Sequence, residues 1–303
     1  MSFKTIAILS PGNMGGAIGR FLGRNGYAVV TNLAGRSDFT RKKAADCGFR
    51  DCGSMDALVR EADLMLSILA PANAVETAAA AAAAMKKTGA RPVYADCNAT
   101  SPQSALEMQR VIEDAGAVFI DVGIIGATPV EGKYPELCAS GPHAGLLNEL
   151  DGKGVQILNV GPEIGAGSAI KICNGAYNKG AFALYTAVML AAEHYGFTDH
   201  LRKRLPGSQA GTVDKLDQAI VRLPSLSGRY IGEMEQVSET FGSIGLPGGF
   251  HAAAAELFRM LSASSLASQR REQIDPNRTT LDTLRILVEE LGRQGEGARR
   301  RAR

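Results

Sequence analysis

Thr5-Ile-Ala-Ile-Leu9 is an uninterrupted apolar run, and it leads straight into Ser10-Pro-Gly-Asn-Met-Gly-Gly16. A strand that is apolar at every position must be covered on both faces, which a parallel sheet between two layers of helices provides. An amphipathic helix follows from Ala17 to about Arg24, Gly26 ends it, and Tyr27-Ala-Val-Val-Thr-Asn32 is the next strand. Strand, glycine loop, helix and strand in this order make a βαβ unit of the size that binds a dinucleotide.

Glycines suit such a loop because a pyrophosphate has to reach bare N–H groups at a helix N-terminus, where the helix dipole favours negative charge. Gly12 and Gly15 fit the G-x-G-x-x-G spacing, and Asn13 and Met14 lie between them. Ser10 stands in the place of the first glycine, and Ser-Pro also makes a turn. The end of the second strand selects the cofactor. An acid there would hold the ribose hydroxyls of NAD, but the chain reads Asn32-Leu-Ala-Gly-Arg36-Ser37, with Arg41, Lys42 and Lys43 nearby. A cationic fork and a hydroxyl are what a 2′-phosphate requires, so NADP is expected, with NAD as the alternative should Asp38 take that position.

The alternation continues. Helices are expected at 40–47, 55–61, 73–87 and 102–115, and strands at 64–69, 92–96 and 117–121. Ligands on such a sheet bind at the strand C-termini, here Leu69-Ala-Pro71, Asp96-Cys-Asn-Ala-Thr100 and the residues from Gly123 to Thr128. Two more strands, 134–139 and 155–159, flank helical residues at 144–150, and no strand pattern follows Gly165. The expected architecture is a Rossmann-like doubly wound α/β sheet followed by an all-α C-terminal domain. The cofactor domain would span 1–164 and the helical substrate and dimerisation domain 165–303, hinged near 161–167.

The second domain opens with Gly165-Ala-Gly-Ser-Ala-Ile-Lys-Ile-Cys-Asn-Gly-Ala-Tyr-Asn-Lys179, the start of a helical run to about Tyr195. At roughly 100° per residue, Lys171, Asn174 and Asn178 share one stripe, with Lys179 beside it. A helix apolar nearly all round is expected to be buried, which would place a lysine and two carboxamides in an apolar setting. Composition sets few other limits. The formal charge of +2 points to no polyanionic partner, and the basic tail at 299–303 reads as solvated and mobile. Five scattered cysteines read as reduced core thiols, and four histidines lack metal-ligand spacing. No metal, nucleic-acid or membrane role is expected, and with no room for a signal peptide before the first strand the location expected is cytoplasmic.

Four segments, in order, carry a resemblance. Ser10-Pro-Gly12-Asn-Met14-Gly15 is similar to a G-x-G-x-M-G loop, and Asp96-Cys-Asn98-Ala99-Thr-Ser-Pro102 to D-x-S-T-x-x-P. Asp121-Val-Gly-Ile-Ile125-Gly126-Ala127 is similar to D-x-P-V-S-G-G, and Gly165 to Gly175 to G-x-G-x-x-x-K-x-x-N-N. Over nearly its whole length the chain resembles the β-hydroxyacid dehydrogenases, which include 3-hydroxyisobutyrate and 6-phosphogluconate dehydrogenases. Its C-terminal part looks like a less characterised branch. The resemblance implies NAD(P)-dependent oxidation of the secondary alcohol of a hydroxyacid or sugar acid, in a homodimer. Lys171 would be the general acid/base and Asn174 would orient the substrate. Gly12, Asn13, Met14, Gly15, Asn32, Arg36, Ser37, Leu69, Ala70 and Asn98 would line the cofactor. Ile125, Gly126, Ala127, Asn178 and Lys179 would meet a small acidic substrate. The motif serine falls on Ile125 and the second asparagine on Gly175, so the reaction frame is kept and the substrate grip rewritten. An imine or aldehyde reductase and a non-catalytic NADP-binding module are the rival readings. His251 is expected to pack, and Glu233 and Glu235 to lie on a solvated face.

Overall fold

The structure is a computed structural model that describes residues 2–205, 210–269 and 273–301. It divides into two compact units, Met1–Asn174 and Gly175–Arg303.

The first unit is built on one eight-stranded sheet, in the order β3-β2-β1-β4-β5-β6-β7-β8. These strands are β1 (Thr5–Ile8), β2 (Ala28–Thr31), β3 (Arg50–Asp51), β4 (Leu64–Ser67), β5 (Val93–Asp96), β6 (Phe119–Ile125), β7 (Glu136–Ser140) and β8 (Gln156–Asn159). All neighbours pair parallel except β6 and β7. The crossovers are α1 (Asn13–Arg24), α2 (Asp38–Asp46), α3 (Met55–Glu61), α4 (Ala74–Thr88) and α5 (Pro102–Glu113). The continuous apolar runs serve two cores at once, because successive side chains of a strand point to opposite faces. Ile6 and Ile8 join Ile18, Leu22, Leu64, Leu66 and Val122 on one side. Ala7 joins Met65, Tyr94, Phe119 and the buried alanines of α4 on the other.

Helix starts follow local chemistry. Ser37, Ser54 and Ser101 immediately precede α2, α3 and α5, and the side chain of each accepts a backbone N–H of its own first turn. Gly89 ends α4 in the left-handed conformation, with φ of 77°. The late strands fall close to where they were expected, and residues 144–150 form a 3-10 helix. The two-residue β3 had no pattern to announce it.

The helix α6 (Ala166–His194) begins in the first unit and continues into the second. The second unit adds α7 (Thr198–Arg204), α8 (Ala210–Ile220), α9 (Leu223–Ser243), α10 (Gly249–Ser262) and α11 (Thr280–Arg301). Tyr230 on α9 meets Phe258 on α10 edge to face, at 5.4 Å between ring centres. Asp217 on α8 binds Arg202 at 2.6 Å and Tyr185 at 3.2 Å, and its carbonyl accepts from Thr280 at the start of α11. The helix α11 runs to Arg301 through the glycines that suggested a mobile tail; residues 302–303 lie outside the described ones.

Two expectations are corrected by burial. Ile170, Tyr177, Leu184 and Val188 are exposed on α6, so its apolar surface is not all core within one chain. Cys173 is exposed and Cys52 half-buried, so only three of the five thiols are core groups, all five being free.

The packing of β6 on the start of α6 gives a direct test. A Cβ on Gly123 would sit 2.2 Å from the Gly167 carbonyl oxygen, whereas one on Gly232 would meet nothing within 4 Å. Gly123→Ala should cost about 2–4 kcal/mol in urea denaturation. Gly232→Ala, in an exposed helix interior, should raise stability by a few tenths to about 1 kcal/mol.

Candidate active site

The loops after β2, β1, β4, β5 and β6, which are consecutive neighbours in the sheet, bring the expected site residues of the first unit to one edge. Gly12 precedes α1, which has no side-chain cap and no acid in its first turn. A Cβ on Gly12 would meet only open space, whereas one on Gly15 would strike the Ser10 carbonyl at 2.5 Å. The first glycine therefore leaves room above an uncapped helix N-terminus, and the second closes the turn. These features fit a dinucleotide pyrophosphate.

Beside this loop, the segment after β2 is held by its own side chains. Asn32 Oδ1 accepts from the Ala34 N–H at 3.1 Å, and Arg41 donates to the carbonyls of Leu33, at 2.7 Å, and Arg36, at 3.2 Å. Arg36 and Ser37 are exposed, and Ser37 Oγ caps α2 by accepting from the Thr40 N–H. Lys43 Nζ donates to Asn13 Oδ1, which joins the basic cluster to the glycine loop.

Deeper in the sheet, Ser67, Asp96, Asp121 and Ser140 pair in register across β4, β5, β6 and β7, and all four are fully buried. Two carboxyl groups side by side inside a sheet need donors. Asn98 Nδ2 donates to Asp96 Oδ1 at 2.6 Å and to Ser67 Oγ at 2.9 Å, while Asn98 Oδ1 accepts from the Leu69 N–H at 2.6 Å. The Asn98 amide is thus engaged inside the protein. It holds the Leu69 N–H of the Leu69–Ala70 turn.

Asp121 receives the start of α6. Its Oδ2 accepts from the Gly165 N–H at 3.0 Å, the Ser168 N–H at 2.9 Å and Ser140 Oγ at 2.9 Å; its Oδ1 accepts from Ser168 Oγ at 2.5 Å. Ser140 Oγ in turn accepts from the Gly167 N–H at 3.0 Å. One turn further on, Lys171 is half-buried and its Nζ donates to the Ile124 carbonyl at 2.5 Å. Ile125 next to it is half-buried, and Gly126 and Ala127 are exposed on the following loop. Asn174 is exposed on the same helix.

Lys171 therefore stands at the C-terminal end of β6, on the edge that carries the glycine loop and the Leu69–Ala70 turn. An ammonium has three donor positions, and the Ile124 carbonyl takes one of them. Sequence reasoning missed Asp121, Ser140 and Ser168 as parts of this arrangement. The signal was present, since an aspartate inside the apolar run of β6 has to be paired.

Asn178 and Lys179 lie in the second unit. Lys179 forms an ion pair with Glu233, with both side chains largely buried, and lies 5.3 Å from the centre of the Tyr230 ring. Glu233 is thus not on a solvated face, while Glu235 is half-exposed and paired with Arg259. His251 packs against Phe241 and Phe250, at 4.8 and 5.1 Å between ring centres, and burial lowers its pKa. Among the described residues, no cluster of His, Cys, Asp or Glu could hold a metal ion, and no helix is long and apolar enough to cross a membrane.

Burial pushes the Asp96 carboxyl up to about 7; the Asn98 amide opposes this, and the Asp121 charge adds to it. An unfolded aspartate titrates near ~3.9. The folded protein therefore holds this proton over the interval between, and the associated stability is full below the unfolded pKa and is lost as pH rises through about 7. In melts from pH 4 to 8, wild type should lose several degrees relative to Asp96→Asn. A gap between the two that is independent of pH would show that Asp96 does not hold the proton.

Known proteins resemble this chain in sequence and in fold. The profile described as the NAD binding domain of 6-phosphogluconate dehydrogenase matches residues 5–144. A domain of unknown function, DUF1932, matches residues 192–261. The "Uncharacterized 28.5 kDa protein in 7S RNA 5'region" of Methanothermus fervidus is 28% identical over 198 residues, covering 65% of this chain and 74% of that protein. Mitochondrial 3-hydroxyisobutyrate dehydrogenase of Bos taurus is 25% identical over 186 residues, 57% of this chain and 53% of the enzyme. Among solved structures, a conserved hypothetical protein from Sinorhizobium meliloti 1021 superposes with a TM-score of 0.70 at 22% identity, covering 95% of this chain and 97% of that one. One chain thus combines a segment similar to the NAD binding domain of 6-phosphogluconate dehydrogenase with a DUF1932 segment, in a fold similar to that of the 3-hydroxyacid dehydrogenases.

Proposed function

We propose that the chain is an NADP-dependent oxidoreductase that moves a hydride between the nicotinamide and the secondary alcohol of a small hydroxyacid or sugar acid. The observation that carries this reading is Lys171 Nζ held on the Ile124 carbonyl, at the sheet edge where the glycine loop and the Leu69–Ala70 turn also end. The cofactor would supply the hydride acceptor in oxidation and the donor in reduction. The residues of the chain bind, orient and move the proton. Backbone N–H groups from Gly12 to Gly15 would take the pyrophosphate, and the exposed Arg36 and Ser37 the 2′-phosphate. Lys171 would take the hydroxyl proton in oxidation or give it in reduction, and Asn174 would orient the oxygen.

The substrate end is less like that of known hydroxyacid dehydrogenases. Ile125, Gly126 and Ala127 offer backbone and two apolar side chains, with Ile125 standing where the motif has a serine. A carboxylate would be held there by backbone N–H groups, which favours small acids over sugars bound through many hydroxyls. In the second unit, Lys179 is already paired with Glu233. The exposed apolar residues Tyr177, Leu184 and Val188 of α6 fit a homodimer in which this helix is shared.

Two measurements test the reading. Lys171→Ala should lower kcat by about 10²–10⁴ on any hydroxyacid or sugar acid that the wild type oxidises. Equal turnover would remove Lys171 from the chemistry. Arg36→Ala should weaken NADP about 10-fold or more by calorimetric titration, with NAD far less affected. Equal losses for both would reject Arg36 as the 2′-phosphate ligand.

A further inference from the structure

We infer that Asp121 is a positioning residue that sets the place of Lys171 by holding the first turn of α6 against β6. The inference rests on the acid–base reading of Lys171 for its effect on turnover, and on geometry alone for its effect on the lysine.

The first turn of a helix leaves backbone N–H groups without partners, and a nearby serine normally answers one of them. Ser37, Ser54 and Ser101 do this for α2, α3 and α5. At α6 the preceding residue is Gly165, which has no side chain to offer. The partner comes instead from 44 residues away in the sequence: Asp121 accepts the N–H groups of Gly165 and Ser168 and the Ser168 hydroxyl. Ser140 completes the set by donating to Asp121 and accepting the Gly167 N–H. A buried carboxylate is a costly way to cap a helix when a serine would serve. It gives what a local cap cannot, which is a fixed register between this helix and one strand.

That register reaches Lys171. It lies three residues beyond Ser168 on α6, and its Nζ binds Ile124, three residues beyond Asp121 on β6. The same helix is thus tied to the same strand at two points one turn apart. Gly123 lies between the two ties on β6 and Gly167 within the first tie on α6; an added Cβ would strike the Gly167 carbonyl at 2.2 Å from the one and the Cys138 carbonyl at 2.4 Å from the other. There is no slack there for the helix to take up if the Asp121 tie is lost.

Asp121→Asn keeps the shape but removes the charge and one of the two acceptor oxygens, so that with its NH2 in the place of Oδ1 the Ser168 hydroxyl loses its acceptor. Ser168→Ala is the milder variant, removing the 2.5 Å bond and leaving both backbone bonds in place. Three readouts are needed on the full-length protein: amide hydrogen exchange at 165–168, trace acetylation of each lysine followed by mass spectrometry, and kcat and KM against pH. In Asp121→Asn, exchange at 165–168 should rise, Lys171 should acetylate several-fold faster while Lys42 and Lys87 do not change, and kcat should fall roughly tenfold or more. Its loss should exceed any change in KM and come with a shifted pH limb, and Ser168→Ala should follow in the same direction with smaller effects. If exchange rises while Lys171 labelling, kcat and the pH profile stay as in wild type, Asp121 is only a stabilising cap and the inference is overturned. Should Asp121→Asn fail to fold, the same readouts on Ser168→Ala decide between these outcomes. Undiminished turnover by Lys171→Ala would reject the acid–base reading, and the labelling result would still decide whether Asp121 positions the lysine.

Discussion

The buried carboxylate of Asp121 under the first turn of α6 is the contact on which the arrangement of the site depends. Inside a sheet, such a group survives only if its oxygens are filled with donors. Here the donors come from two places: Ser140 on the antiparallel neighbour strand, and the start of the helix that carries the lysine. Polar groups at matching positions on four adjacent strands extend this contact sideways. Asn98 ties the rung to the Leu69 N–H, and therefore to the turn after β4. The hydrogen-bond network that keeps two carboxyl groups inside the sheet also places the turn and the lysine of the proposed chemistry.

Around the glycine loop, different physics applies. Its parts are exposed backbone, an uncapped helix end and surface cations, with the β2–α2 segment secured by Arg41 and Ser37. Such a site recognises charge by dipole and point cation and needs little burial. On the proposed reading, phosphate would be recognised on the rim of the sheet, while the proton-transferring group would be held from within it.

Much of the fold was legible in the sequence because it rests on local signals. Thr5 to Leu9 had to be a parallel strand, Gly15 had to be small, and the long strand–helix alternation left few other topologies. Lys171 was legible as a polar interruption of an apolar helix. Four features were not. The long-range cap was hidden because Asp121, Ser140 and Ser168 are far apart in sequence, and no spacing rule joins them. The bond from Asn98 to Asp96 depends on burial, which the motif around Asn98 does not show. Glu233 read as a surface acid because its partner Lys179 lies on another helix. The apolar girth of α6 suggested full burial, whereas one chain leaves Tyr177 and Leu184 uncovered.

The most direct test of the account is a crystal structure of the protein with NADP bound. The account predicts the pyrophosphate on the N–H groups of Gly12 to Gly15, the 2′-phosphate at Arg36 and Ser37, and the nicotinamide beside Lys171 Nζ, with the bond from Lys171 to Ile124 intact. A nicotinamide bound away from Lys171, or a 2′-phosphate facing solvent with Arg36 turned elsewhere, would contradict it.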